Sequence, residues 1–290
     1  MRLLITGASG FVGRHLTAVL PARIRWQGLG RRDCDNIVSV DILDHSSLRS
    51  VIAQSSPDVV VHLAAVAQSG GEEAVLRRVN VDGAVHVAEA TWMAAPDARL
   101  IVASTGYVLG ETAAAADESV PLAPIGAYAE SKAEMERVLA RLAGSRALHV
   151  VRPFNHAGPG QASTYAVTAF AQKVLKSARF GVPIKVGDLT AVRDLSDVRD
   201  LAKVLAWMVQ APDLPPLLHV CSGRPRTMKD VLDAFLVRAG IDPTTARVHS
   251  EGRSRLRRNV GNPALCRRLV PVVPRSLEHT LDDVWAQVQT

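Results

Sequence analysis

The chain is 290 residues long, 48% hydrophobic and 21% charged, with a formal net charge of +6. That length is near the size at which single cores stop growing, so it predicts one compact protein of two unequal lobes, and the composition argues against long disordered tails. No apolar run approaches the roughly 20 residues of a membrane-spanning helix, and Leu3-Leu4-Ile5 is broken at once by Thr6 and Gly7, too short for a signal peptide; both points predict a cytoplasmic protein with no membrane partner.

Taken in chain order, strands read at 2–6, 24–29, 37–40, 58–63, 99–104 and 147–152, with helix-period segments at 11–20, 46–54, 72–94 and 127–142 between them. Such alternation predicts an α/β fold, a doubly wound parallel sheet of the Rossmann type. Val59-Val60-Val61 and Leu100-Ile101-Val102 lack polar alternation, as central strands buried on both faces do. Beyond Pro153 the rhythm loosens, with Gly-Pro-rich stretches at 158–161 and 212–216. Residues 1–155 are therefore expected to form the Rossmann domain and 156–290 a smaller C-terminal lobe, with 192–211 returning to the first domain.

Cys34, Cys221 and Cys266 are widely spaced with no CxxC pair, so neither a disulfide framework nor a metal site is expected, and they read as reduced packing residues. Arginines crowd the late chain at Arg247, Arg253, Arg255, Arg257, Arg258, Arg267 and Arg268, which reads either as a solvated face or as a site for a polyanion. No Phe, Tyr or Trp interleaves them, so a nucleic-acid platform is not expected, and a diphosphate suits the charge better.

Gly7-Ala8-Ser9-Gly10-Phe11-Val12-Gly13 follows the first strand and opens the first helix. Glycine is needed there to turn tightly, to let the backbone reach a pyrophosphate and to pack helix on strand, while the helix N-terminus offers unpaired N–H groups to anionic oxygens. The spacing is GxxGxxG rather than GxGxxG. The second strand ends Gly28-Leu29-Gly30-Arg31-Arg32, with no carboxylate until Asp33. Arginine there accommodates a 2'-phosphate, so NADP(H) is favoured, with NAD(H) the alternative if Asp33 grips the ribose. Asp41-Ile42 sits where such folds line an adenine pocket, or else forms a turn.

Tyr128-Ala129-Glu130-Ser131-Lys132 lies in a helical stretch, and a spacing of four puts phenol and ammonium on one face. A nearby positive charge is expected to lower the Tyr128 pKa toward working pH and so allow it to move a proton.

This ordered set resembles the extended short-chain dehydrogenase/reductase family over essentially the whole chain. The motifs that carry the resemblance are the glycine loop, His62-Leu63-Ala64-Ala65 after the fourth strand, Asn80-Val81-Asp82-Gly83, Ser104-Thr105, and Tyr128 with Lys132. It implies that Thr105 hydrogen-bonds the reacting oxygen, that Tyr128 is the acid/base, and that Lys132 binds the nicotinamide ribose and tunes the tyrosine. Leu63, Ala64, Ala65 and Asn80 would shape the cofactor site, Asn80 being alternatively a helix-kinking surface residue. Helices over 72–94 and 127–142 pair as a dimer interface in similar proteins.

Within that family, the stretch from Arg152-Pro153-Phe154-Asn155 through Gln161, together with Arg193-Asp194-Leu195, resembles enzymes of nucleotide-diphosphate sugars. The likeness is to the branch of GDP-4-keto-6-deoxymannose reductases and GDP-mannose dehydratases. By that resemblance Asn155 donates to the substrate and Arg193 neutralises its diphosphate, while Arg255 and His156 lie near it. Dehydratases of this branch carry a glutamate two residues after the catalytic Ser/Thr, whereas Thr105-Gly106-Tyr107 puts a tyrosine there, so dehydration is disfavoured and Tyr107 lines the sugar pocket or packs. NADPH-dependent reduction of a 4-keto sugar is the favoured reading. An NAD-dependent 4-epimerase is the alternative, and a non-catalytic cofactor-binding sensor or scaffold is opposed by the intact Thr105, Tyr128 and Lys132.

Overall fold

The computed structural model describes residues 1–67 and 72–290. In the first half, strands β1 (Arg2–Thr6), β2 (Arg25–Gly30), β3 (Ile37–Ser39), β4 (Val59–His62), β5 (Arg99–Ala103) and β6 (Leu148–Pro153) alternate with helices α1 (Phe11–Val19), α2 (His45–Ser55), α3 (Glu73–Arg77), α4 (Gly83–Ala94) and α5 (Ala127–Ala143). The later chain adds β7 (Asn155–Ala157), α6 (Ala166–Phe180), β8 (Ile184–Val186), β9 (Val192–Asp197), α7 (Val198–Gln210), β10 (Leu217–Val220), β11 (Pro225–Thr227), α8 (Met228–Arg238), β12 (Val248–Ser250), β13 (Arg258–Asn259), α9 (Ala264–Leu269) and α10 (Leu277–Gln289).

The main sheet has seven strands in the order β10-β6-β5-β4-β1-β2-β3, and every pairing in it is parallel. Because side chains alternate across a strand, each central strand feeds two cores. Leu3, Ile5, Val59, Val61 and Ile101 pack with Leu16 of α1 and Leu201, Leu205 and Met208 of α7. Leu4, Val60, Leu100 and Val102 pack on the other face with Leu48 of α2, Val87 of α4 and Leu139 of α5. Each fully buried Val, Leu or Ile there contributes about 2 kcal/mol of burial, which is why an uninterrupted apolar strand is stable only between two helical layers. Strand order reverses between β1 and β4, and the crevice beyond their carboxyl ends is where such a sheet takes a ligand.

The expected return of 192–211 to the first domain is split. The strand β9 joins a smaller sheet with β7, β11 and β13, because Asp194, fully buried, accepts from the backbone of Ser222, Gly223 and Gly261 and so ties the strand to that side. Only α7 goes back, onto α1, and the return to the main sheet is made by β10 alongside β6. A separate core joins α6, α8 and α10 through Phe170, Phe235 and Trp285. The helix read over 72–94 is interrupted: α3 runs through a π turn, Arg78–Asp82, into α4. Cys34 is exposed rather than packed. Among the described residues no helix is long and apolar enough to cross a membrane.

Candidate active site

Gly7 leaves β1 at φ +71°, a left-handed conformation that a side chain resists, and its N–H donates to Leu29 O at 2.8 Å. A Cβ on Gly7 would lie 2.7 Å from Ala64 N, so the turns after β1 and β4 meet backbone to backbone. A Cβ on Gly13 would lie 2.7 Å from the Ala8 carbonyl carbon, so the first turn of α1 sits directly on the loop. Gly10 caps α1 without a side-chain hydrogen bond, which leaves the helix's first N–H groups to the crevice. Phe11 stacks on His156 with ring centroids 5.9 Å apart, while Val12 packs into the core. Leu63 packs there too, Ala64 N donates to Thr6 Oγ1 at 3.3 Å, and Ala65 is exposed.

Arg31 and Arg32 are both exposed just past β2. Asp33, the rival for the ribose, spends a carboxylate oxygen on Ser39 N at 2.7 Å, closing the loop between β2 and β3. Asp41 is a turn former: exposed, it accepts from Leu43 N at 2.9 Å. Ile42 is buried against Gly83 of α4, where a Cβ would fall 2.6 Å from its Cδ1. Asn80 is no surface residue. Fully buried in the π turn, it accepts from Val66 N at 2.9 Å and donates to Val66 O at 3.1 Å and to Ser131 Oγ at 3.0 Å. Ser131 in turn donates to Tyr128 O at 2.8 Å, so Asn80 fastens the turn after β4 to the helix carrying Tyr128 and Lys132.

Thr105 caps a short 3₁₀ turn, Gly106–Leu109, accepting from Tyr107 N at 3.2 Å. Its hydroxyl lies beside the Tyr128 phenol, close enough to favour the ionised form. Burial pushes the Tyr128 phenol above its ordinary value, and the Thr105 hydroxyl beside it opposes this without overcoming it. The expected lowering does not prevail: the phenol's net shift is upward, and Lys132 Nζ donates to Ala103 O at 2.8 Å. Burial draws the Lys132 pKa down to about 8, with Glu136 one turn on pulling it back up. His62 is held neutral, its pKa near 3, first by burial and then by the Lys132 charge.

Sequence reasoning missed the support beneath this pair. Arg152 of β6 donates to Glu136 through Nε at 3.0 Å and through its terminal nitrogen at 2.6 Å, both residues being buried, and Glu136 also accepts from Ser104 Oγ. A bidentate buried pair of this kind is costly to break, since the survivor is left charged without a partner. It locks α5 to the ends of β5 and β6, and with them the relative placement of Thr105 and Tyr128.

The remaining candidates meet in a cavity of about 530 Å³ that brings together Tyr107, Asn155, His156, Gln161, Arg193 and Arg253. Arg193 is buried and its donors are engaged with Val192 O at 2.9 Å, Leu256 O at 2.7 Å and Ser254 Oγ at 3.0 Å, so it clamps the 254–257 segment, and the cavity lining also holds the carboxylates Asp188 and Glu251. Arg255 is exposed and does not line the cavity; Arg253 takes that place.

Residues 3–220 match the family described as the NAD dependent epimerase/dehydratase family. The chain is 30% identical over 245 residues to GDP-6-deoxy-D-mannose reductase of Pseudomonas aeruginosa, covering 80% of this chain and 78% of that one. It superposes on the structure of UDP-glucose 4-epimerase from Thermus thermophilus in complex with NAD with a TM-score of 0.86 at 26% identity, covering 100% of this chain and 99% of that one. It has the same fold as RMD from Pseudomonas aeruginosa complexed with NADPH, TM-score 0.86 at 24% identity, with 99% and 98% covered.

Proposed function

The chain belongs to the NAD dependent epimerase/dehydratase family, and on that footing we propose that it reduces, with NADPH, the 4-keto group of a nucleotide-linked 4-keto-6-deoxyhexose. The substrate envisaged is GDP-4-keto-6-deoxymannose or a close relative, and the product a GDP-deoxyhexose such as GDP-rhamnose. Work on nucleotide sugars follows from the relatives; the reaction and the sugar are our reading.

The observation that carries it is that the Tyr128 phenol stands beside the Thr105 hydroxyl, with burial raising it further above its ordinary value so that it holds its proton. Reduction of a ketone ends by delivering a proton to the new alkoxide, so a phenol held in its acid form is the form required. The crevice fits a dinucleotide: a Cβ would fill the space at Gly7 and Gly13, and α1 begins there with its N–H groups uncapped. Gly7, Gly10 and Gly13 would receive the pyrophosphate, Arg31 and Arg32 the 2'-phosphate, and Lys132 the ribose nearer the reacting carbon. A bound nicotinamide supplies hydride chemistry at C4. Thr105 orients the C4 oxygen, and Tyr128 gives up its proton as negative charge develops on that oxygen, where preorganised donors help most. Glu136 and Arg152 hold the strand and helix that bring the two hydroxyls together.

A second reading, an NAD-dependent 4-epimerase, draws on the likeness to the Thermus enzyme. The two are separated by following oxidation of NADPH and NADH against GDP-, dTDP- and UDP-linked 4-keto-6-deoxy sugars. We expect NADPH oxidation with a ketosugar, falling about 10³-fold in Tyr128→Phe while NADPH still binds. Reduction of none of them, with NAD co-purifying, favours the epimerase; undiminished turnover in Tyr128→Phe removes the role given to that residue.

A further inference from the structure

Thr105 is placed by the turn it caps, Gly106–Leu109, and both ends of that turn are held from the late chain. Asn259 of β13, fully buried, donates from Nδ2 to Gly106 O and to Gly110 O, each at 3.0 Å. Among uncharged side chains only a carboxamide has two protons on one nitrogen and can span two carbonyls with a single atom. Nearer in sequence the turn is held at its middle, where Ala123 N donates to Val108 O at 2.9 Å. The other arm of the carboxamide, Asn259 Oδ1, is enclosed and has no hydrogen-bond partner among the described residues. An orphaned acceptor offsets much of what the two donated bonds add to stability, so the chief contribution of the side chain is the position of the turn.

The same segment reaches the cavity. Asn259 stands opposite Arg193 in the pairing of β13 with β9, and the Arg193 guanidinium donates to Ser254 Oγ and Leu256 O, a few residues before Asn259. Arg193, Arg253 and Ser254 line the cavity, whereas Asn259 does not. Residues 254–259 therefore run as a strap from the cavity wall to the Thr105 turn, and a ligand that fixes Arg193 and Ser254 fixes the turn through the strap. Beyond Asn259 the backbone is tied separately: Val260 N donates to Thr112 Oγ1 at 2.9 Å and Ala116 N to Val260 O at 2.9 Å, so loss of the Asn259 side chain leaves the strap in place.

We propose that Asn259 is a positioning residue for Thr105, through which a ligand in the cavity steadies the Thr105 hydroxyl. This rests on the reading given above, in which Thr105 and Tyr128 meet the reacting oxygen. Asn259 itself moves no proton and touches no reacting group.

Hydrogen exchange tests this apart from turnover. The full chain with NADP⁺ is followed by mass spectrometry, alone and with GDP, UDP or dTDP. With a diphosphate that binds, present at about 100 times its Kd, exchange at Tyr107–Gly110 in the wild type is expected to slow about tenfold or more, since opening of the turn then competes with the ligand. In Asn259→Leu, close in volume but without donors, the slowing at the turn should fall to within about twofold while slowing at 251–254 remains. Should that variant not fold, Asn259→Ser, whose hydroxyl serves at most one of the two carbonyls, is read in the same way. No slowing at the turn with any of the three diphosphates overturns the proposal. So does full slowing that survives in the variant, because Tyr107 then carries the effect by itself. For whichever ketosugar is reduced, kcat should fall about tenfold or more in Asn259→Leu with KM for NADPH unchanged, and an undiminished kcat also overturns it. Slowing that needs Asn259, in a protein that reduces no ketosugar, supports the positioning role and removes only the reductase reading.

Discussion

The crevice between β1 and β4 and the cavity around Arg193 are built in opposite ways. The crevice is made of backbone from two short turns, with Gly7 against Ala64 and Gly13 against Ala8, and offers N–H groups and room. The cavity is made of side chains from the 3₁₀ turn, β7, β9 and the 251–254 segment, a phenol, a carboxamide, guanidiniums and carboxylates among them. A backbone site tolerates little added volume but asks little of side-chain chemistry. A side-chain site depends on each polar group finding its partner.

The strongest test of that contrast is Gly7→Ala. The added methyl meets Ala64 N at 2.7 Å in a backbone conformation at φ +71°, so strain and overlap together should cost about 3 kcal/mol of stability and abolish NADPH binding. Denaturant unfolding and cofactor fluorescence titration read both; a variant that keeps its midpoint and its affinity breaks the comparison on the crevice side. Next in size is Arg193→Lys, which preserves charge but not the fork of donors. Carbonyls of Val192 and Leu256 then lose partners, which should cost about 2 kcal/mol and raise KM for the sugar nucleotide. If charge is all that matters at Arg193, lysine will substitute with little loss in either measurement.

How much of each region the sequence disclosed follows from the same difference. The glycine loop, β1 and α1 are consecutive, and their residue types have a local reason to be there, so they were legible down to the residue. The six early strands were placed closely for a similar reason, their apolar runs having no stable place except a sheet covered on both faces. Tyr128 and Lys132 were found by helical spacing, but spacing says nothing of where an ammonium turns, and Lys132 turns to Ala103 O. The strand β10 was missed because Leu217–Val220 is four residues after a proline-rich stretch, and its apolar pairing partner is β6, far away in sequence. Glu136 with Arg152 was missed for want of any local rule joining them, although a glutamate one turn after Lys132 on the same helix face was a signal that the face is enclosed. Arg255 was named near the substrate whereas Arg253 lines the cavity, in a loop where no periodicity decides which way a side chain points.

A smaller effect sharpens the crevice side. Arg31 and Arg32 are exposed, so their contacts with a 2'-phosphate are made in water and each is worth about 1 kcal/mol. The double variant Arg31→Ala/Arg32→Ala should weaken NADPH binding about tenfold or more and leave NADH binding as it was. Equal losses for the two cofactors would mean that these arginines do not meet the 2'-phosphate, and would return the choice between NADP and NAD to the loop around Asp33.

The last test belongs to Lys132, which lies where the two regions adjoin. Its folded pKa, about 8, is below the ordinary 10.5 because burial penalises the ammonium more than Glu136 restores it. From about pH 8 to 10.5 the unfolded chain still binds the proton that the folded chain has released, so stability should rise with pH across that window, with a slope of at most about 1.4 kcal/mol per unit. Below about pH 8 both states are protonated and the burial cost stands in full. Urea midpoints at pH 8 and pH 10 should therefore separate in the wild type and converge in Lys132→Met once the titration common to both proteins is subtracted. If the two proteins show the same pH dependence, the Ala103 carbonyl and Glu136 compensate the charge completely, and Lys132 is then as well satisfied before any ribose arrives as the crevice glycines are.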